Sequence, residues 1–299
     1  MLRITRAYVT DILDKNNPPV AFCEDKDIVI FETRDCYDGS VTREDEPYGD
    51  GKVHLENPST GPLFVKGAMP GDVLKVEILD IVIANQGIMR TSTTAGAFPE
   101  AYDTKMARIF PVKDQKIDFD DKLSLGLDPM IGVIGTAPYG EGILTETPDY
   151  HGGNMDCKKI VKGSTLYLPV CVEGALLSLG DLHALMGDGE VLICGLEIPG
   201  EVTVRVSVVK NCSLPTPFLL CKDRVMTIQS ALTLDEAAKL AATKMFEFLT
   251  KVMKDDKVNA GMLMSLQSDM AVCQIVDPKK TIRVELPLEI LSTYGYQLP

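Results

Sequence analysis

Hydrophobic and polar residues alternate along much of the first 220 or so residues. In "DVLKVEILDIVI" (residues 72–83), Leu74, Val76 and Ile78 fall on one side of an extended chain, and Lys75 and Glu77 on the other. In "EVTVRVSVV" (201–209), Val202, Val204, Val206 and Val208 oppose Thr203, Arg205 and Ser207. A period of two marks a strand with one buried face. "STLYLPVCV" (164–172) and "EVLICGLEI" (190–198) are more continuously apolar and are expected to form deeper strands. Turn clusters such as "NPSTGP", "MPGD", "APYGEG" and "IPGE" separate the runs. Many short strands with such punctuation predict a mainly β protein, a β-sandwich-like body of distorted jelly-roll type.

The period changes near residue 232. Thr233 followed by Glu236 is a capping box, in which hydroxyl and carboxylate each satisfy a free backbone N–H. Apolar residues then keep helical spacing to Val252. A second helix is expected over 259–270, followed by two strands, "AVCQIVD" and "TIRVELP". The expected organisation is a β-rich body over 1–222 that carries the active site, with an α+β segment over 223–299 packed on it.

Composition narrows the function. With 299 residues, 45% of them hydrophobic, the chain can bury a large core. A formal net charge of −13 argues against nucleic acid and anionic membranes as partners. No stretch reaches the roughly 18 apolar residues of a membrane span, and the first residues lack the apolar run of a signal peptide. The eight cysteines are scattered, without a C-x-x-C pair, and read as thiols of a reducing cytoplasm.

Only three histidines occur, and two of them sit among acids and glycines, in "DYHGGNMDCKK" (149–159) and "GDLHALMGDGE" (180–190). Imidazole and carboxylate together suit a zinc-like ion. Asp181 and His183, two apart, would share one face of a strand end. His151 and Asp156 could both turn inward across a Gly-rich bend. Asp188 and Glu190 form another i, i+2 pair, and Asp35 and Asp38 lie upstream. Turn chemistry competes for Asp181, Asp188 and Asn154. His54 reads as a strand or surface residue. Glu197, in an apolar run, needs a partner, either in an active site or in a structural salt bridge. Cys157 is conceivable as a nucleophile, but reads better as an inert buried thiol. There is no H-E-x-x-H, no H-x-E…C-x-x-C and no G-x-S-x-G.

Longer stretches say more than spacing does. "IGTAP" (134–138), "HGGNMD" (151–156) and "GDLHALMGDGE" (180–190) resemble the acetamidase/formamidase family. So do "NPSTGPLFVKGAMPGDVLKVEI" (57–78) and the C-terminal "MLMSLQSDMAVCQIVDPKKTIRVELPLEIL". The resemblance covers nearly the whole chain. It implies hydrolysis of small amides to a carboxylic acid and ammonia, and a bound divalent metal, zinc foremost. It brings His151, Asp156, Asp181 and His183 together as expected ligands, with Glu190 as proton carrier and Asn154 as a donor to the amide carbonyl. Asp188, Glu197 and Asp35 are held in reserve, and the assignment of acids to base or ligand stays open. Spare carboxylates leave room for a second ion such as calcium. Where this chain has Leu185-Met186, relatives carry Gln, so Met186 removes an amide group beside the site and puts substrate identity in question. A homo-oligomer is expected. The alternatives are a γ-lactam hydrolase on the same scaffold and a non-catalytic metal- or ligand-binding β protein.

Overall fold

The computed structural model describes residues 1–46, 52 and 54–299. The alternating runs become strands of two large sheets. One has nine strands. Its spatial order is Leu2–Ile4, Ile28–Glu32, Gly200–Val209, Val73–Ile83, Thr165–Pro169, Phe218–Cys221, Arg224–Ala231, Lys280–Pro287 and Asp269–Gln274. The other runs Gly152–Asn154, Met130–Gly135, Leu177–His183, Ser59–Val65 and Val9–Thr10, with Ala21–Cys23 also paired to Ser59–Val65. The apolar faces of the two sheets meet in one core. Val29, Phe31, Val76 and Val202 come from the large sheet; Leu63, Ile131, Leu177 and Leu179 come from the smaller one. In Gly200–Val209, Val202, Val204 and Val206 are buried and the residues between them are not, as the period of two requires.

Thr233 and Glu236 close the expected capping box on helix α1 (Leu234–Val252). The helix lays Ala241, Met245, Phe248 and Leu249 on the Arg224–Ala231 and Lys280–Pro287 strands, in a second cluster beyond the main core. The expected boundary between the body and the α+β segment, at residue 222, falls in the tight turn between Phe218–Cys221 and Arg224–Ala231. The nine-stranded sheet therefore runs through that point. Helix α2 (Lys257–Gln267) stops three residues before its expected end. Both the amide and the hydroxyl of Ser268 bond back to the Met264 carbonyl, and residues 269–270 are drawn into the edge strand.

One expected strand does not form. Residues 190–198 run as an irregular segment with an isolated bridge at Glu197, which pairs with Ile88 and with His183. Glu190 (φ 47°) and Ile193 (φ 132°) break the extended path. Gly195 lies against the His183 ring, where a Cβ would come within 2.6 Å of Nδ1. From Cys194 to Ile198 the run is buried because it walls a polar site.

Candidate metal centre

Asp181 and His183 end the Leu177–His183 strand, and the Met130–Gly135 strand runs beside them with Gly132 at the point of closest approach. A Cβ on Gly132 would lie 2.6 Å from Asp156 Oδ1 and 2.7 Å from Asp181 Oδ2, so only glycine lets both carboxylates converge there. Asp156 arrives on the bend after Gly152–Asn154. That bend needs its two glycines. Both have positive φ, and a Cβ would strike the Ile134 carbonyl at Gly152 or the Thr147 carbonyl at Gly153.

His183 Nε2 is the focus. It lies 3.1 Å from Glu197 Oε1, 3.6 Å from Asp181 Oδ1, 3.8 Å from Asp156 Oδ1 and 3.9 Å from Glu190 Oε1. All five residues are buried, with Glu190 the most open at 6%. Ligand atoms of Asp156, His183 and Glu190 lie within 4.8 Å of one another, and so do those of Cys36, Asp181 and Glu197. Asp181, His183, Glu190 and Glu197 line a cavity of about 470 Å³, together with Cys36, Asn154 and Asp277.

Burial sets the electrostatics. It pushes the Asp156 carboxyl up to about 6 and Glu197 up to about 8, in spite of His183 beside them. Glu190 is raised well above the usual carboxylate range by burial and by the charge of Asp156. Burial alone would lower His183, but Glu197 and Asp181 outweigh it and hold the imidazole well above its ordinary value. Both oxygens of Asp156, and one each of Asp181, Glu190 and Glu197, meet no hydrogen-bond donor among the described residues. Unpaired buried carboxylate oxygens are costly. A divalent cation would satisfy them, and one imidazole among carboxylates is a donor set such an ion accepts. The residues present fit a metal.

Three residues singled out in the sequence stand elsewhere. Asp188 is taken by Arg283, which donates Nη1 and Nη2 to its two oxygens at 2.6 and 2.9 Å; Lys158 lies 3.2 Å away. Asp35 accepts the backbone N–H groups of Tyr37 and Gly39, both at 3.0 Å, and shapes a turn, leaving its neighbour Cys36 on the cavity wall. His151 is wholly buried but does not line the cavity, and the charges acting on it are Asp149 and Lys279. His54 Nδ1 lies 3.5 Å from Asp38 Oδ2. Met186 places its sulfur 3.3 Å from His183 Nδ1, so a thioether stands behind the imidazole, where second partners of metal-binding histidines sit. Cys36 and Asp277 gave no sign in the sequence. Asp277 follows an apolar strand and precedes a proline, a context in which an acid reads as a turn residue.

His151 yields a stability prediction. Burial lowers its pKa to about 4, against about 6.5 for a free imidazole. The unfolded chain therefore takes up a proton below pH 6.5 that the native chain refuses until about pH 4. Stability falls over that window, by roughly 2–3 kcal/mol at pH 4.5 from this residue. Urea melts at pH 7 and 4.5 should show a smaller acid loss in His151→Phe than in the wild type. Equal losses would mean that His151 is not held neutral.

The sequence profile of the acetamidase/formamidase family matches residues 13–143 and 139–293. A protein of Schizosaccharomyces pombe named as a formamidase is 28% identical over 259 residues, 65% of this chain and 63% of that one. An acetamidase of Mycolicibacterium smegmatis is 27% identical over 247 residues, 60% of this chain and 61% of that one. The chain thus spans less than two thirds of the length of these curated relatives. The crystal structure of an acetamidase from Bacillus halodurans matches with a TM-score of 0.96 at 46% identity, over 98% of this chain and 100% of that one. A γ-lactamase from Delftia acidovorans shares the fold, with a TM-score of 0.66 at 22% identity, over 94% of this chain and 89% of that one.

Proposed function

The chain belongs to the acetamidase/formamidase family, and from that premise we propose that it hydrolyses a small aliphatic amide, such as formamide or acetamide, to the carboxylate and ammonia. The observation that carries this reading is the ring of buried, partly unpaired carboxylates around His183 Nε2 on a cavity wall. Asp156, Asp181 and His183, with Glu197, would hold a divalent ion, zinc foremost; carboxylate oxygens left over from that set would suit a second ion such as calcium, which takes oxygen ligands. When bound, such an ion polarises a carbonyl and makes a water molecule more acidic. Glu190 takes the proton of the attacking water and passes it to the nitrogen as the C–N bond breaks, so that ammonia leaves and not an amide anion. Glu190 is only 6% exposed, so little bulk water competes for that proton.

Cys157 is fully buried and does not line the cavity, so that thiol has no path to substrate. The γ-lactam reading is supported by the fold alone. No helix among the described residues is long and apolar enough to cross a membrane. The unpaired cysteines support a cytoplasmic setting. Exposed apolar side chains such as Met106, Leu123 and Phe119 support assembly into a homo-oligomer.

The test is ammonia release from formamide, acetamide and propionamide by protein as purified, after chelation, and after zinc is restored. Loss on chelation and recovery with zinc are expected. Activity that survives full removal of metal would refute the metal-dependent reading. Tight metal binding without turnover of any amide would leave a binding protein.

A further inference from the structure

Once the carboxylates around His183 are assigned to a metal and a base, two acceptors on the cavity wall remain without a role. Asn154 is 3% exposed, and its Oδ1 meets no donor among the described residues. Asp277 Oδ2 is likewise a buried atom with no hydrogen-bond partner among the described residues. Both residues line the cavity, and neither belongs to the tight ligand groups. Asn154 and Asp156 both stand within interaction range of the Asp277 carboxyl.

The pair is held rigidly. Gln274 Oε1 accepts the backbone N–H groups of Val276 at 2.8 Å and Asp277 at 3.0 Å. Its Nε2 donates to the Lys279 carbonyl at 2.6 Å and to Thr281 Oγ1 at 3.1 Å. Lys279 in turn pairs with Asp149, whose backbone exchanges hydrogen bonds with Gly152, two residues before Asn154. The loop that carries Asp277 and the bend that carries Asn154 are thus one tied unit. Acceptors locked in this way are fit to orient a ligand.

We propose that Asn154 Oδ1 and Asp277 Oδ2 form the seat of the substrate's amide nitrogen, each accepting one of the two N–H bonds of a primary amide. The proposal rests on the amidase reading. A secondary amide or a lactam offers a single N–H and sets a carbon substituent against the other oxygen, leaving that buried acceptor unpaired. A site built to bond N–H groups rejects analogues that lack them. The same two oxygens would receive the departing ammonia after Glu190 supplies its proton.

The experiment compares kcat/KM for formamide and N-methylformamide in wild type, Asp277→Asn and Asn154→Ala, with melting temperature and bound metal as controls. Asp277→Asn should lose about 10- to 100-fold on formamide, chiefly in KM, and little on N-methylformamide, so the preference narrows. Should Asp277→Asn fail to fold, Asn154→Ala carries the same test. A folded, metal-loaded variant that keeps the wild-type preference overturns the nitrogen seat and leaves the amidase reading intact. A wild-type protein inert toward both amides overturns the amidase reading and the seat with it.

Discussion

Replacing Glu190 with Gln is expected to cut turnover by about 10²- to 10⁴-fold while the metal stays in place. Glu190 is the most open carboxylate of the ring, and one of its oxygens is unpartnered. Gln keeps nearly the same shape but cannot take a proton from water. Its neighbours should be little disturbed, because the backbone of this segment is fixed from elsewhere. Gly189 donates to the Cys273 carbonyl at 2.9 Å and accepts from the Ile275 amide at 3.1 Å. The check is kcat together with metal analysis of the same sample. A wild-type kcat would remove Glu190 from the proton path. Loss of both kcat and metal would make it a ligand.

The second large effect is expected at Asp188, which does not line the cavity. Arg283 is 2% exposed, and two of its N–H groups end on Asp188 while Nε donates to Glu285 at 2.7 Å. Asp188→Asn would leave a buried guanidinium short of charge. Stripping one partner from a buried pair costs about 3–5 kcal/mol. Because Asp188 is partly open and Glu285 remains, the low end applies, about 3 kcal/mol, or roughly 5–10 °C in Tm. Asp188 is two residues from Glu190, so kcat should fall as well. Thermal melts and kcat of Asp188→Asn and Arg283→Met check this. A change in Tm under 1 °C would mean that the pair holds nothing in place.

The same residue shows where sequence reasoning reaches its limit. Asp188 and Glu190 form a matched pair of acids in "GDGE", and nothing local separates a structural acid from a chemical one. The partner that decides is Arg283, 95 residues later. His151 poses a similar question. A rare histidine in a polar bend looks like a ligand, and both its ring nitrogens are buried, but the structure sets it off the cavity wall that Asn154 lines. Asp156, Asp181, His183 and Glu190 could be found because the strand end and the glycine bends that aim them are local features. Glu197 was legible only as an anomaly, a carboxylate in an apolar run. Strands with one wet face, such as Gly200–Val209, were plain from their alternation. Residues 190–198 were not, because burial against a polar site and burial in a sheet leave the same apolar record.

Asp156, Asp181 and Glu190 all hold left-handed backbone, at φ 44°, 53° and 47°. Each such residue without glycine's freedom carries a strain of about 1–3 kcal/mol. Glycine would relieve it at every one of the three positions. Selection of the metal-free chain for heat resistance alone would therefore drift toward glycine at these sites, and the hardier proteins it yielded would be inert. A thermostability campaign on this scaffold needs an activity screen in every round.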